Sequence, residues 1–181
     1  TAAQVSGHAI TGAGRVAVTE LGTDAVDLSK VAVTGNREID VTDDTTLDAA
    51  TKLGTFTVTV AEDAKLTLSA AQAAGKTIDG DGDVAVTELG SAAVDLSTIG
   101  ATGDLVAHVS GTATLAAGTK LGGFEIVVDS GTLSLTAAQA NGLTITGAGS
   151  VTVTDLGITA VDLSGVDVDG SMSLTIAKSL T

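Results

Sequence analysis

Three aspartates at alternate positions form the string in this chain that most suggests chemistry. They are Asp79, Asp81 and Asp83 in IDGDGD, each separated from the next by glycine. Calcium takes about six to eight oxygen ligands, and closely spaced carboxylates on glycine turns can supply several of them. The string therefore predicts a calcium site, although it lacks the full loop pattern of EF-hand proteins. The alternative is a polar turn whose carboxylates are solvated.

A second acidic pattern recurs along the chain, with two acids seven residues apart. An aspartate in the string AVDLS can accept backbone N–H bonds within a turn, which is a common structural role. Two such carboxylates could instead share a cation between layers of the fold. Both interpretations stay open for the three pairs, which are Glu20 with Asp27, Glu88 with Asp95, and Asp155 with Asp162.

Nucleophilic catalysis has little support in the residue types present. The chain has two histidines and neither cysteine nor tyrosine, and His8 and His108 occupy unrelated positions, as expected of incidental surface residues. A nucleophile needs an adjacent base, and no such pair is indicated. Paired carboxylates also serve polysaccharide-active enzymes, so that class ranks third among the functions considered. Phe56 and Phe124 lie within strand patterns and indicate core rather than a sugar-binding platform, and we predict no enzyme.

Composition favours strands stacked in thin layers over an ordinary globular core. The chain of 181 residues is 44% hydrophobic but only 1% aromatic, so large rings cannot supply the buried area. Its apolar content is Val, Leu, Ile and Ala, mixed with abundant Thr, Ser and Gly. Val, Ile and Thr favour strands, while Gly and Asp favour the turns between them.

The charge balance excludes several classes of partner. A net charge of -14 would repel the phosphates of nucleic acids and anionic lipid surfaces. The absence of cysteine excludes disulfides and zinc–thiolate sites. No run approaches the roughly 18 apolar residues of a membrane helix, so we expect no membrane insertion. The chain begins without Met and shows no signal peptide, as expected of a mature product or an excised piece.

Internal repetition is the strongest signal in the sequence. The string VAVTELG recurs after 68 residues, and a third version, VTVTDLG, follows 67 residues later. The motifs AVDLS and (S/T)AAQ recur with the same offsets. We therefore predict one repetitive segment over 1–181, with units at about 1–68, 69–135 and a partial third at 136–181.

Within each unit, short runs that alternate apolar and polar residues are separated by glycine turns. One element is predicted to be helical. Ser69 with Gln72 forms a capping box at its start, and Gly75 marks its end. Hairpin turns are scarce, which disfavours antiparallel pairing. We predict an all-β fold: a parallel β-solenoid of tandem 67–68-residue units, each making about two to three coils and including a short helical corner. The alternative fold is a β-sandwich.

The units LTLSAAQAAGKTIDGDGDVAVTEL and LSLTAAQANGLTITGAGSVTVTDL resemble repeats of very large bacterial surface proteins, of adhesin or surface-layer type. The resemblance implies a secreted protein that assembles on the cell surface, often with calcium. The glycine- and aspartate-rich nonapeptide of calcium-binding secreted toxins is missing, so the resemblance does not extend to that motif.

These observations lead to a structural or adhesive function as the first hypothesis. The chain would be a scaffold segment of a stalk, filament or surface layer, located outside the cell. Its partners would be neighbouring repeats or copies of itself placed end to end, together with surface glycans. The second hypothesis is a calcium- or glycan-binding module. No cofactor is required by the first hypothesis, and calcium would belong to the second.

Overall fold

The computed structural model describes residues 1–157 and 159–176 and shows a β-solenoid of about 8 turns. Every pair of neighbouring strands in it runs parallel. A β-sandwich would pair its strands antiparallel, so that alternative is wrong. The predicted parallel β-solenoid is confirmed.

Each turn of the solenoid, called a coil below, carries two or three short strands. The strands are β1 Ile10–Gly12, β2 Val16–Val18, β3 Val31–Val33, β4 Arg37–Val41, β5 Thr45–Thr46, β6 Thr57–Val60, β7 Lys65–Ser69, β8 Ile78–Gly80, β9 Asp83–Thr87, β10 Leu105–Ser110, β11 Ala113–Thr114, β12 Glu125–Ser130, β13 Thr132–Thr136, β14 Ile145–Gly147, β15 Ser150–Leu156, β16 Val166–Val168 and β17 Met172–Ile176. The helices are α1 Ala2–Val5, α2 Ala70–Ala73 and α3 Ala137–Ala140. Such short helices are corners, and none in the described residues could cross a membrane.

Three kinds of coil alternate along the solenoid, and backbone pairing shows where each begins. The N–H of Gly7 donates to the carbonyl of Asp27 at 2.8 Å, and Asp27 pairs in turn with Lys52. Both contacts recur one repeat later, and the glycine-to-aspartate bond recurs again in the third repeat. Type 1 coils begin at Gly7, Gly75 and Gly142, type 2 coils at Asp27, Asp95 and Asp162, and type 3 coils at Lys52 and Lys120. One repeat unit therefore makes three coils, the upper end of the predicted range.

The sheets are staggered rather than confined to single faces. Their strand orders are β1-β3, β2-β4-β6-β8, β5-β7-β9-β10-β12-β14-β16 and β11-β13-β15-β17. Each complete type 2 coil has three strand positions along the chain. The first position is the end of a sheet, and it is occupied by β3 in one coil and by the isolated bridge at Ile99 in the other. The third position, occupied by β5 or β11, is the beginning of another sheet. The second strand of a type 2 coil, β4 or β10, continues into the type 3 coil above.

A single hydrophobic core runs through the coils. On each strand alternate residues point inward, so that Leu66 and Leu68 are almost fully buried while Thr67 between them is half-buried. Phe56 and Phe124 are 2% and 3% exposed, which confirms them as core residues. Burial of each Val, Leu or Ile stabilises the fold by about 1.5–3 kcal/mol, and parallel stacking repeats that gain in every layer.

The predicted capping box is present at the helical corner. The Ser69 hydroxyl accepts the N–H of Gln72 at 3.3 Å, and the Gln72 Oε1 accepts the N–H of Ser69 at 2.9 Å. The Gln72 Nε2 also donates to the carbonyls of Asp48 and Thr51, at 2.8 and 3.1 Å, in the coil below. Gln139 makes the equivalent bonds at α3. One glutamine therefore caps a helix and joins two coils.

Glycine corners let successive coils approach closely. A methyl group added at Gly82 would lie 2.1 Å from the carbonyl oxygen of Ala61 and 2.5 Å from that of Ala64. Both carbonyls belong to the type 3 coil beneath. Gly14 occupies the equivalent position in the first repeat, where an added methyl group would meet nothing within 4 Å. The two glycines share a sequence context and differ in what lies below them.

We predict that Gly82→Ala destabilises the protein by about 1–3 kcal/mol, because the methyl group overpacks a backbone contact that cannot relax freely. Gly14→Ala is the matched control and should change the free energy of unfolding by less than about 0.5 kcal/mol. Urea denaturation of both variants measures the difference. Equal stability of the two variants would contradict the close stacking of coils at this corner.

Candidate functional site

The three aspartates of the predicted calcium site lie at the corner between β8 and β9. Asp81 is exposed, and its Oδ1 accepts the hydroxyl of Thr102 at 2.9 Å. The half-buried Asp83 accepts the backbone N–H of Asp104 on its Oδ1 at 2.8 Å. Both bonds reach the next coil, so these two carboxylates join a type 1 coil to the type 2 coil above it. Asp79 precedes them as an exposed residue of β8.

The described residues contain no group of three or more His, Asp or Glu side chains placed to hold a metal ion. The carboxylates of Asp81 and Asp83 already accept protein hydrogen bonds, which gives them a structural role without a metal. Equivalent corners elsewhere read TGAG, at Thr11 and Thr146, so the acids belong to one repeat only. Calcium binding by Asp79, Asp81 and Asp83 stays a prediction.

A calcium titration tests that prediction directly. If the site exists, millimolar calcium raises the melting temperature, because a ligand that binds only the folded state stabilises it. The rise should disappear in an Asp81→Asn variant and persist in an Asp24→Asn control, which alters an exposed acid outside the corner. An unchanged melting temperature in the unsubstituted chain would contradict the calcium site.

The aspartate of AVDLS has the turn role that the sequence suggested. In all three repeats its Oδ1 accepts both the backbone N–H and the hydroxyl of the serine two residues later. The N–H distances are 3.0 Å for Asp27 with Ser29, 3.0 Å for Asp95 with Ser97, and 2.9 Å for Asp162 with Ser164. The turn interpretation is thereby confirmed. The same turn marks the start of every type 2 coil.

A lysine from the type 3 coil above contacts the same carboxylate. The Nζ of Lys120 lies 2.8 Å from the Oδ2 of Asp95, and the Nζ of Lys52 lies 3.8 Å from the Oδ2 of Asp27. The Lys120 hydrogen bond, followed by those of Ser97, lowers the pKa of Asp95 to about 2. The Ser29 hydrogen bonds lower the pKa of Asp27, with smaller attractions from lysines. Sequence reasoning missed these partners, although both lysines lie in a string, TKLG, that occurs at Thr51 and again at Thr119.

These pKa shifts predict a loss of stability in acid. A carboxylate whose folded-state pKa is depressed contributes stability above its unfolded value, near 4, and loses it as the pH falls towards 2. Asp95→Asn should therefore reduce the slope of melting temperature against pH between about pH 4 and pH 2. Asp27→Asn is the matched control and should reduce it less, since its lysine is more distant. Identical slopes in all three proteins would contradict a contribution from the Asp95–Lys120 pair.

In the first two repeats, the other acid of the pair lines a surface depression between a type 1 and a type 2 coil. Glu20 lines it in the first repeat and Glu88 in the second, beside the hydroxyl residues Thr42 and Ser110 respectively. Asp155 lines a depression in the third repeat. Neither Asp27 nor Asp95 is among the lining residues, so the structure does not bring the two acids of a pair to one site.

The histidines do not form a nucleophile–base pair with a neighbouring hydroxyl. The Nδ1 of His108 lies 3.1 Å from the Oδ1 of Asp129, and the Ser110 hydroxyl donates to the Oδ2 of the same aspartate at 3.2 Å. Asp129 therefore separates the serine from the imidazole, whereas activation of a serine needs a direct contact with the base. The Nδ1 of His8 lies 2.9 Å from the carbonyl of Ser6.

The most exposed large apolar side chains of the described residues lie together on β17, in the last described coil. Met172, Leu174 and Ile176 are 42%, 51% and 63% exposed. All three pair through their backbone with β15 below, and β17 is the last strand of its sheet. An edge strand with exposed apolar residues is a surface on which another strand can add.

No protein-family model, curated protein or solved structure matches this chain. Its function must be argued from the repeat, the charges and the two ends of the solenoid. Within the described residues, the polar contacts that recur from one repeat to the next connect neighbouring coils or shape the turns between strands. They stabilise the stack.

Proposed function

We propose that this chain is a structural segment of a longer β-solenoid, serving as a stalk, filament or surface-layer scaffold on a bacterial cell surface. The observation that supports it is the stacking of successive repeats along one direction around a single hydrophobic core. A solenoid of this kind gains length with each repeat while its cross-section stays constant. Such growth is the property that a stalk or filament needs.

The contacts between coils support the proposed scaffold role. Core residues such as Val58, Ile78 and Ile126 are fully buried between neighbouring coils. The recurring contacts of Gln72 and Gln139, and the Asp95–Lys120 ion pair, tie each type 3 coil to the type 2 coil below. Parallel strands along the stack supply backbone hydrogen bonds in the direction of growth. Each coil is therefore held to the next by apolar, polar and backbone contacts together.

The composition supports a place outside the cell. The net charge of -14 keeps an exposed array soluble and prevents side-by-side adhesion of like-charged surfaces. Cohesion does not depend on disulfides, because the sequence has no cysteine, so assembly is insensitive to the redox state of its surroundings. In this role the neighbouring repeats are the partners of the chain.

Insertion of one more repeat tests the proposal. We expect a second copy of 69–135, inserted between Leu135 and Thr136, to lengthen the particle by about 14 Å, since it adds three layers about 4.8 Å apart. Small-angle X-ray scattering measures the maximum dimension and the radius of the cross-section. The radius should remain unchanged while the length grows.

A flexible Gly/Ser insert of equal length at the same site is the control, and it should widen the distribution of dimensions without a defined increment. A more compact particle, with a larger cross-section after insertion of the repeat, would contradict the scaffold proposal. Surface labelling of intact cells with an antibody against the chain tests its location. Labelling only after cell lysis would contradict the extracellular part of the proposal.

A further inference from the structure

Two residues at the open end of the solenoid are exposed although their equivalents in the first two repeats are buried. Leu174 and Ile176 on β17 are 51% and 63% exposed. Their equivalents on β10, Ala107 and Val109, are both 0% exposed. The equivalents on β4 are buried as well, and they are Ile39 at 0% and Val41 at 2%. Leu174 pairs with Val153 of β15 as Ala107 pairs with Val86 of β9, so the positions are equivalent and the difference lies in what covers them.

In the interior of the solenoid these positions are covered by one kind of coil. The strands β4 and β10 are second strands of type 2 coils, and each pairs upward with the first strand of a type 3 coil. Ala107 faces Ile126, and Val109 faces Val128, both fully buried on β12. The strand β17 is also the second strand of a type 2 coil. By analogy with β4 and β10, the strand that would cover it is the first strand of a type 3 coil.

The carboxylate of Asp162, in the same coil as β17, also favours a type 3 coil as the neighbour. The first residue of every type 2 coil is an aspartate, and in the two complete examples a lysine at the start of the type 3 coil contacts its carboxylate. In the third example, Asp162 accepts the bonds of Ser164, and the ion pairs of the described residues include none with Asp162. The Ser164 hydroxyl and N–H hold that carboxylate in the position its equivalents use to bind lysine.

The type 1 coils show what the other surface of a type 3 coil covers. Ile10 and Val16 of the first type 1 coil are half-buried, whereas their equivalents Ile78 and Val84 are 0% exposed. Below Ile78 and Val84 lie the strands β6 and β7 of a type 3 coil. The carbonyls that crowd Gly82 also come from that coil. In the interior, a type 3 coil therefore covers apolar residues of the type 2 coil below it and of the type 1 coil above it.

We infer that the face formed by Asp162, Leu174 and Ile176 binds a type 3 coil. The occupant is a stretch of the same repeat that begins with a lysine and continues into a strand with two inward apolar residues. This inference rests on the proposed scaffold function and specifies its joining rule. Type 2 is followed by type 3, and type 3 is followed by type 1.

Direct stacking of one copy on the next would break this rule. It would place a type 1 coil on the type 2 face, and type 1 coils begin with glycine where type 3 coils begin with lysine. Asp162 would then face a residue without a charge. A second copy would bring the capping glutamine Gln4 of α1 ahead of its type 1 coil, but neither the lysine nor the first strand of a type 3 coil.

Two extensions of the full chain test the rule. The first appends a copy of 115–141 after Thr181, which completes the last coil and adds a type 3 coil. The second appends a copy of 115–119 followed by a copy of 142–161, which completes the coil and adds a type 1 coil directly. Hydrogen–deuterium exchange of the amides in 172–176 reports whether β17 becomes an interior strand.

We expect the first extension to slow exchange in 172–176 at least about tenfold, because an interior strand opens less often than an edge strand. The second should slow it much less. Leu174→Asp in the first extension should restore fast exchange in 172–176. Replacing the lysine of the appended coil by glutamate should reduce the rise in melting temperature that the first extension gives over the unmodified chain. Equal protection by both extensions, or by neither, would overturn the joining rule.

A trans experiment separates this rule from the scaffold proposal, and it does not depend on the folding of an extended chain. A labelled peptide copying 115–141 should bind the unmodified chain with one-to-one stoichiometry and lose binding in Leu174→Asp. Sedimentation of the unmodified chain alone should show no elongated oligomers. If elongated oligomers form from the chain alone and disappear in Leu174→Asp, the scaffold function stands while the joining rule fails.

Discussion

In-register parallel stacking of inward apolar side chains is the constraint on which the rest of this structure depends. Each coil alone is too thin to enclose a core, so its Val, Leu and Ile residues are buried only when another coil lies above and below them. Because the repeated layers supply the buried area, small and medium apolar residues suffice and few aromatic residues are needed. Phe56 and Phe124 lie at equivalent positions, one in each type 3 coil, where the repeat leaves room for a ring.

The polar residues serve the same stacking. A carboxylate at a corner can accept backbone N–H groups that the turn leaves unpaired, and it can contact a cation one layer away. Asp95 does both, through Ser97 and Lys120. Asp83 and Gln72 reach neighbouring coils by similar bonds. The acids that first suggested metal or catalytic chemistry are thus accounted for largely as contacts within and between layers.

The proposed scaffold function therefore depends on the order of the coils. Three kinds of coil follow one another because each presents a different strand edge and a different first residue to the next. A type 2 face presents an aspartate and an open second strand, and a type 3 coil carries the matching lysine and first strand. The interior of the chain repeats this match twice, and the uncovered positions of Leu174 and Ile176 extend it to the end of the stack.

The amino-acid sequence by itself determined the repeat, the parallel solenoid and the helical corner. Those features depend on local patterns: period-two alternation, glycine turns, and a serine with glutamine three residues later. Only the tertiary structure decided the number of coils per unit, the staggered sheets and the pairing of Lys120 with Asp95. These depend on which residues about 18–25 positions apart become neighbours, and that register is set by packing of the whole coil. Sequence offsets reveal equivalent residues but not residues in contact, which is why the acids were recognised and their partners were not.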